Sequence, residues 1–382
     1  MEALSYAPPP PSPEAEALRT EVRAFLAAEL AHRTPLARAE SWTGFDPAFS
    51  RKMGERGWIG MTWPRPYGGH ERSALERYVV LEEALAAGAP VSAHWIADRQ
   101  SGPSILRHGS EAQKQSILPR IAAGQCFFCI GMSEPDSGSD LASVRTRATP
   151  VQGGYLVNGT KLWTSHAHHA HYMILFCRTG GAEGDRHGGT SQFLVDLSLP
   201  GIRIRPVLAL TGEHHFNEVV FEDLFLPETA LLGREGEGWS QVTGELAFER
   251  SGPERFLSSF QLLVELVRAL GPEPSERGAI AIGRLTAHIL TLRRLSRSVA
   301  GMLQNGENPA LQAALVKDLG AMLEQEIPEI ARQLIAAEPT TQSTQDFSAV
   351  LAYTIMHAPS FSLRGGTREI LRGMVARGLG LR

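Results

Sequence analysis

Apolar positions recur at three- and four-residue spacing from residue 13 to about residue 125, as in ALRTEVRAFLAAEL and ERYVVLEEALAAG, a period that predicts amphipathic helices. The first has a marked start: after a polyproline tail, Pro8 to Pro11, comes Ser12-Pro13-Glu14-Ala15-Glu16, with a hydroxyl N-cap, proline at the first helical position and acids in the first turn. SEAQKQSILPRIAAG is expected to open a helix at Ser110 and to stop at Gly124. GWIGMTWPRPYGG reads as loop, because its glycines and prolines break every period.

The period then changes. CFFCIGM, GYLVNGT, HYMILFCR, TSQFLVDL, GIRIRPV and NEVVFEDLFLP are short, rich in β-branched and aromatic residues, and separated by Gly, Asp and Asn. They predict an antiparallel β domain of about a hundred residues, barrel or sandwich. From Gly236 onward the helical spacing returns in QVTGELAFERSGPERFLSSFQLLVELVRAL, in IGRLTAHILTLRRLSRSVAGML beyond the breakers Pro272 and Pro274, and in NPALQAALVKDLGAMLEQEIPEIARQLI and SAVLAYTIM. Long antiparallel helices of this kind suit a four-helix bundle. The expectation is a mostly helical chain with a middle β domain: a helical N-terminal domain over 1–125, β over 126–235 and a helical bundle over 236–382, with no internal repeat.

Composition narrows the partners. A chain of 382 residues with 43% hydrophobic side chains is too apolar to be disordered and long enough for two or three domains. With 37 Lys and Arg against 41 Asp and Glu, the net charge of −4 leaves no cationic surplus for nucleic acid or an anionic membrane. No stretch is long and apolar enough to span a bilayer, and MEALSYAPPPPSPEAEAL has neither the basic start nor the apolar core of a signal peptide. Three cysteines, Cys126, Cys129 and Cys177, form no disulfide framework and fit a reducing compartment, so a cytoplasmic protein is expected. The 38 glycines point to many positive-φ turns or close backbone approaches.

Few motifs could carry chemistry. Cys126-Phe-Phe-Cys129 has no second pair to complete a zinc site, and its two Phe suit a buried strand. His166, His168, His169 and His171 alternate as ligands on one strand face would, yet no carboxylate or thiolate completes the set, so no metal is expected. Neither G-x-G-x-x-G after a strand, nor a P-loop, nor a G-x-S-x-G elbow occurs. There remains Met132-Ser133-Glu134-Pro135-Asp136-Ser137-Gly138-Ser139-Asp140 between two strands, whose small hydroxyl and glycine residues could cradle a phosphate or hold a planar ring edge.

MSEPDSGSDLAS closely resembles the first signature of the acyl-CoA dehydrogenase family, and GWIGMTWPRPYGG, GTKLWTS, HHFNEVVFEDLFLP, LLGREGEGW and GGTREILRGMVARGLG agree with that family's order over nearly the whole chain. The resemblance implies an N-terminal α domain, a central β-barrel and a C-terminal four-helix bundle holding FAD. By the same resemblance Met132 and Ser133 would meet the flavin ring, Ser139 the pyrophosphate in the turn containing Gly138, Trp163 the isoalloxazine, Ser165 the region of its hydride-accepting nitrogen, and Thr367 the cofactor's phosphate side.

The family's reaction takes the α proton and β hydride from an acyl-CoA thioester, leaving the trans-2-enoyl thioester. It needs a base over the α carbon and donors to the carbonyl that becomes an enolate. Many members carry that base as a Glu directly before the C-terminal Gly-Thr, but this chain reads Arg364-Gly365-Gly366-Thr367. Other members place it at the Glu of an E-R pair on the long helix after the β domain, which selects Glu249 here, with Arg250 orienting the site and the Gly365 N–H bonding the thioester carbonyl. The same segment also offers Glu245 and Glu254, and Glu249 could instead simply pair with a neighbouring Arg.

The family's R-x-x-F-G and Q-x-x-G-G-x-G elements, which reach the FAD of a neighbouring subunit, are missing from GPEPSERGAIAIGRLTAH and QDFSAVLAYTIM. The resemblance is therefore to relatives that act on bulky acyl-CoAs as heteromers sharing FAD sites between different chains. The expected partners are an acyl-CoA, an electron-transferring flavoprotein, and either further copies of this chain or a paralogous one. The alternatives are a FAD-sharing subunit inactive alone and a flavin oxidase or monooxygenase on the same fold.

Overall fold

The computed structural model describes residues 4–7, 9–10, 12–181 and 185–381, with backbone alone for 245–249. It divides the chain into two compact units, one formed by Met1–Phe45, Arg72–Ser92 and Leu246–Arg382, the other by Asp46–Glu71 and Ala93–Glu245. The polypeptide passes between them several times, so neither unit is a single run of sequence.

The first unit is helical. Ser12 caps the helix Pro13–Glu29 by accepting the Ala15 N–H. Buried Arg19 on that helix donates to Glu82 and Glu83 on the helix Ala74–Ala86, and Arg293 on the helix Glu276–Gln304 donates to the same Glu82. Three helices distant in sequence are thus tied through carboxylates that are themselves almost fully buried. Further helices span Phe260–Leu270, Ala310–Leu334, Asp346–Phe361 and Arg368–Gly378; Ala313, Val316, Ala321, Leu323 and Ile327 on Ala310–Leu334 are fully buried, as its position among the others requires.

One expectation fails here. QVTGELAFERSGPERFLSSFQLLVELVRAL is not continuous: it forms the helix Gly238–Glu249, a single 3₁₀ turn Pro253–Arg255, and the helix Phe260–Leu270. Gly252-Pro253 supplies the break, since Pro253 cannot continue the hydrogen-bond ladder.

The second unit is built on one sheet of eight strands: β1 (Phe128–Gly131), β2 (Arg147–Val151), β3 (Gly154–Ser165), β4 (Tyr172–Arg178), β5 (Thr190–Asp196), β6 (Ile202–Leu208), β7 (His214–Pro227) and β8 (Leu231–Leu232). The order is β6-β7-β3-β2-β4-β5-β8, with β1 alongside β4. Pairing is antiparallel as expected except that β1 and, at Arg147, β2 run parallel to β4. Val157, Met173, Leu175, Phe193, Val195, Val219, Phe221, Leu224 and Leu226 fill the core on the face they share. The helix Glu111–Ala122 in this unit begins with a capping box between Ser110 and Gln113, and Gly124, at φ 67°, ends its last turn.

All three cysteines are buried free thiols; burial pushes Cys126 up to about 11 and Cys177 up to about 12, so neither supplies a thiolate at neutral pH. The histidines do not line a strand. His166 is left-handed at φ 52° and a 3₁₀ turn, Ala167–His169, comes next, with His168 stacked on His214 at 3.7 Å. Among the described residues no group of three or more His, Cys, Asp or Glu could hold a metal ion, and no helix is long and apolar enough to cross a membrane.

Candidate functional site

In the β unit the 132–140 loop is organised by a buried lysine. Lys161 on β3 is fully buried, and its Nζ donates to the Met132 carbonyl at 3.0 Å and to Glu134 Oε1 at 2.8 Å. Glu134 also accepts the backbone N–H of Thr146 at 2.9 Å and of Arg145 at 2.7 Å. Burial pushes its pKa up, but Lys161 and these donors outweigh burial and hold the carboxyl below its ordinary value. Leu162 N–H bonds the Ser133 carbonyl, and the Glu134 and Ser137 amides bond each other's carbonyls. Consecutive β3 residues thus grip Met132 and Ser133 by their carbonyls, and Glu134 closes the turn behind them.

The next β3 residue faces away. Trp163 has φ 60° and lies within a register shift between Lys161 and Thr164 against β7. A bulge of this kind re-aims a side chain, and a left-handed Trp is strained by about 1–3 kcal/mol. The indole is 56% exposed, held edge-on by Phe216 with ring centroids 5.7 Å apart, while its neighbours Lys161 and Thr164 are buried. Ser165 pairs with Phe216 at the end of β3. Gly138 and Ser139 lie exposed, and a Cβ added at Gly138 would meet no atom within 4 Å. Asp140 beside them pairs with Arg186 at 2.6 Å. Trp163 offers a planar ring system an exposed aromatic surface and Ser139 offers a phosphate an exposed hydroxyl donor, chemistry that fits FAD.

In the helical unit the Gly365-Gly366 turn is surrounded by arginines. Gly365 and Gly366 have φ 69° and 97°, which glycine adopts freely and other residues do not. Arg250 Nε donates to the Gly365 carbonyl at 3.1 Å and its Nη1 lies 3.0 Å from Met374 Sδ. A Cβ at Gly365 would lie 2.9 Å from the Arg255 guanidinium. Thr367 caps the helix Arg368–Gly378 with its hydroxyl oxygen facing the Ile370 N–H at 3.5 Å, and its hydroxyl proton is donated to the Glu369 carboxyl in the same turn. Glu249 ends the helix Gly238–Glu249, and its side chain, like that of Glu245, lies outside the described residues. Glu254 is 1% exposed and faces Arg255 Nε at 3.6 Å inside the unit.

Each predicted cofactor residue of the β unit thus lies on the 132–140 loop or the end of β3, and Arg250, Gly365 and Thr367 lie around one turn. Sequence reasoning missed the residues behind them: Lys161 and Glu134, which sat unremarked inside quoted motifs, and Arg255. A lysine inside an otherwise strand-like GTKLWTS was the available signal.

Models of the acyl-CoA dehydrogenase N-terminal, middle and C-terminal domains match residues 12–125, 129–224 and 236–380. "Acyl-CoA dehydrogenase FadE29" of Mycobacterium tuberculosis is 30% identical over 378 residues, spanning 96% of both chains. Among solved structures, "Tcur3481-Tcur3483 steroid ACAD" is 26% identical at a TM-score of 0.88 over 98% of this chain and 99% of that one. The ChsE4-ChsE5 complex from Mycobacterium tuberculosis is 29% identical at a TM-score of 0.84, with the same coverage. The three domain models in order and the near full-length relative establish that this chain belongs to the acyl-CoA dehydrogenase family, whose members are FAD-dependent oxidoreductases.

Proposed function

We propose that this chain removes the α proton and β hydride of an acyl-CoA to give the trans-2-enoyl-CoA, with Glu249 as the α-proton base. The observation that carries this reading is the occupancy around Gly365. The place where many members hold a base carboxylate is at φ 69°, a backbone that strains any side chain, and a Cβ there would have to displace the Arg255 guanidinium 2.9 Å away. Glu254 faces Arg255 within the fold, which leaves Glu249, in the E-R pair, as the carboxylate with a counterpart in the family.

In the proposed reaction Glu249 takes the α proton while the Gly365 N–H steadies the negative charge growing on the thioester oxygen. Arg250, through its bond to the Gly365 carbonyl, orients that peptide and takes no proton itself. Met132, Ser133, Gly138, Ser139, Trp163, Ser165 and Thr367 would hold FAD, which when bound supplies the acceptor for the β hydride. An electron-transferring flavoprotein would reoxidise the protein. The functional division is proposed to be 1–125, 126–235 and 236–382, and the place of action the cytoplasm.

A second reading, that the chain shares FAD sites with a paralogous chain and is inactive alone, is favoured by the missing R-x-x-F-G and Q-x-x-G-G-x-G elements. The two solved relatives named as pairs of chains, one of them a steroid ACAD, point the same way and suggest a bulky acyl group. Anaerobic mixing with acyl-CoAs, short, long, branched and steroid-like, tests the activity: a protein purified alone that is yellow and bleaches needs no partner. One that takes up FAD and bleaches only after co-expression with a paralogue acts as half of a heteromer, and one that does neither under both conditions refutes the activity.

A further inference from the structure

The residue before the glycine turn does not face solvent as an arginine in a turn ordinarily would. Arg364 turns back into the helical unit, where its Nη2 lies 3.1 and 3.3 Å from the two oxygens of Glu324, within reach of Ser258 Oγ, and 3.3 Å from the Glu254 carbonyl. Its guanidinium carbon stands 5.0 Å over the Trp42 ring and 4.8 Å over the Phe361 ring. Glu324 is 1% exposed and is fixed in turn, accepting the Ser258 N–H at 2.8 Å through Oε1 while its backbone carbonyl accepts Ser259 Oγ at 2.7 Å. Two aromatic rings at 5.0 and 4.8 Å and shared acceptors together restrain the direction of the guanidinium as well as its position.

That direction matters for the two glycines next in the chain. Gly365 and Gly366 have no side chains with which to pack, and both sit at positive φ, where glycine is least restrained. Their orientation has to come from the flanks. Downstream, Arg250 holds the Gly365 carbonyl and therefore the peptide between Gly365 and Gly366. The Gly365 N–H belongs to the preceding peptide, the one between Arg364 and Gly365. Its plane is set by where the Arg364 Cα stands, and the Arg364 side chain anchors that atom.

We infer that Arg364, held by Glu324, Trp42 and Phe361, is a positioning residue that aims the Gly365 N–H at the thioester carbonyl. The inference rests on the proposed role of that N–H. A donor displaced by about 1 Å costs on the order of a hundredfold in rate without removing any binding contact. Loss of the Arg364 anchor should therefore slow enolate formation while leaving acyl-CoA binding almost unchanged.

The test reads enolate formation without redox chemistry. A 3-thiaacyl-CoA, which has no β hydrogen to lose, is incubated in deuterium oxide with the FAD-loaded protein, together with a co-expressed partner chain if one is needed for loading. The α C–H bond breaks, the proton passes to Glu249, and a deuteron returns to the same carbon, counted by mass spectrometry. Arg364→Met and Arg364→Lys are predicted to exchange 10- to 100-fold more slowly per bound flavin, with the analogue's Kd within about twofold of the parent value. If the methionine variant does not fold, the lysine variant, which keeps a charge opposite Glu324, decides. Exchange per folded molecule equal to the parent's would overturn the inference and leave the proposed reaction intact; a parent protein that exchanges no α hydrogen would refute the proposed reaction itself, and the inference with it.

Discussion

Lys161 Nζ lies 2.8 Å from Glu134 Oε1, and both side chains are buried, the lysine completely. The pair joins the 132–140 loop to β3. Removing one partner of a buried pair strands the other charge, at a cost of about 3–5 kcal/mol. Lys161→Met is predicted to lower the unfolding free energy of the β unit by that amount and to weaken FAD binding at least tenfold, because Met132 loses its grip on β3. Urea denaturation and FAD titration of apoprotein measure both; an unchanged FAD affinity would show that the loop keeps its shape without the pair.

Trp163 should behave in the opposite way. More than half of its surface is exposed, so Trp163→Ala removes little packing and leaves the melting temperature of the apoprotein within a few degrees of the parent value. Loss of an aromatic contact of about 0.5–1.5 kcal/mol predicts FAD binding roughly 2- to 12-fold weaker. Equal FAD affinity in the variant would remove Trp163 from the cofactor site.

Acid should loosen the β unit as its buried histidines are forced to take up protons. Burial pushes His94, whose Nδ1 lies 2.8 Å from Ser50 Oγ, down to about 4. Burial, then the neighbouring His169 and His214, push His168 to about 4 as well. The ordinary value is 6.5, so between pH 6.5 and 4 the unfolded chain binds protons that the folded chain refuses. Stability is complete above 6.5 and falls as the pH drops through that window. Urea midpoints at pH 7.0, 5.5 and 4.5 should decrease in that order, and less steeply for His94→Asn; a flat profile would contradict both shifts.

Moving the base back to the C-terminal position should fail. At φ 69° a glutamate at 365 costs about 1–2 kcal/mol of backbone strain, and its Cβ would press on the Arg255 guanidinium 2.9 Å away. Gly365→Glu is predicted to be less stable than the parent and, combined with Glu249→Gln, to restore no flavin reduction. Recovery of even a tenth of the parent rate would show that the turn can rearrange around a carboxylate.

Local chemistry carried much of the fold into view. Ser12-Pro13 and Ser110-x-x-Gln113 announce helix starts through hydrogen bonds made within four residues, and the switch from helical to strand spacing marks the sheet. The break at Gly252-Pro253 was legible too, but the apolar spacing on either side masks it. The histidines show the limit of periodicity: His166 adopts a left-handed backbone, and the ring beside His168 comes from His214, 46 residues onward by their numbering. Nor does any local pattern reveal that Arg255 fills the space at Gly365 or that Arg364 meets Glu324, since these contacts join segments separated by whole helices. The candidate site was found through motifs, whereas the residues that shape it are set by tertiary packing.

Glu249 as the base of an acyl-CoA dehydrogenase is tested most directly by the anaerobic absorbance of FAD-loaded parent and Glu249→Gln protein, mixed with the acyl-CoA that bleaches the parent fastest. Full FAD occupancy is predicted in both, with rapid bleaching in the parent and a rate about 10²–10⁴-fold lower in the variant, the loss expected when a general base is removed. Bleaching of Glu249→Gln at the parent rate would contradict the assignment.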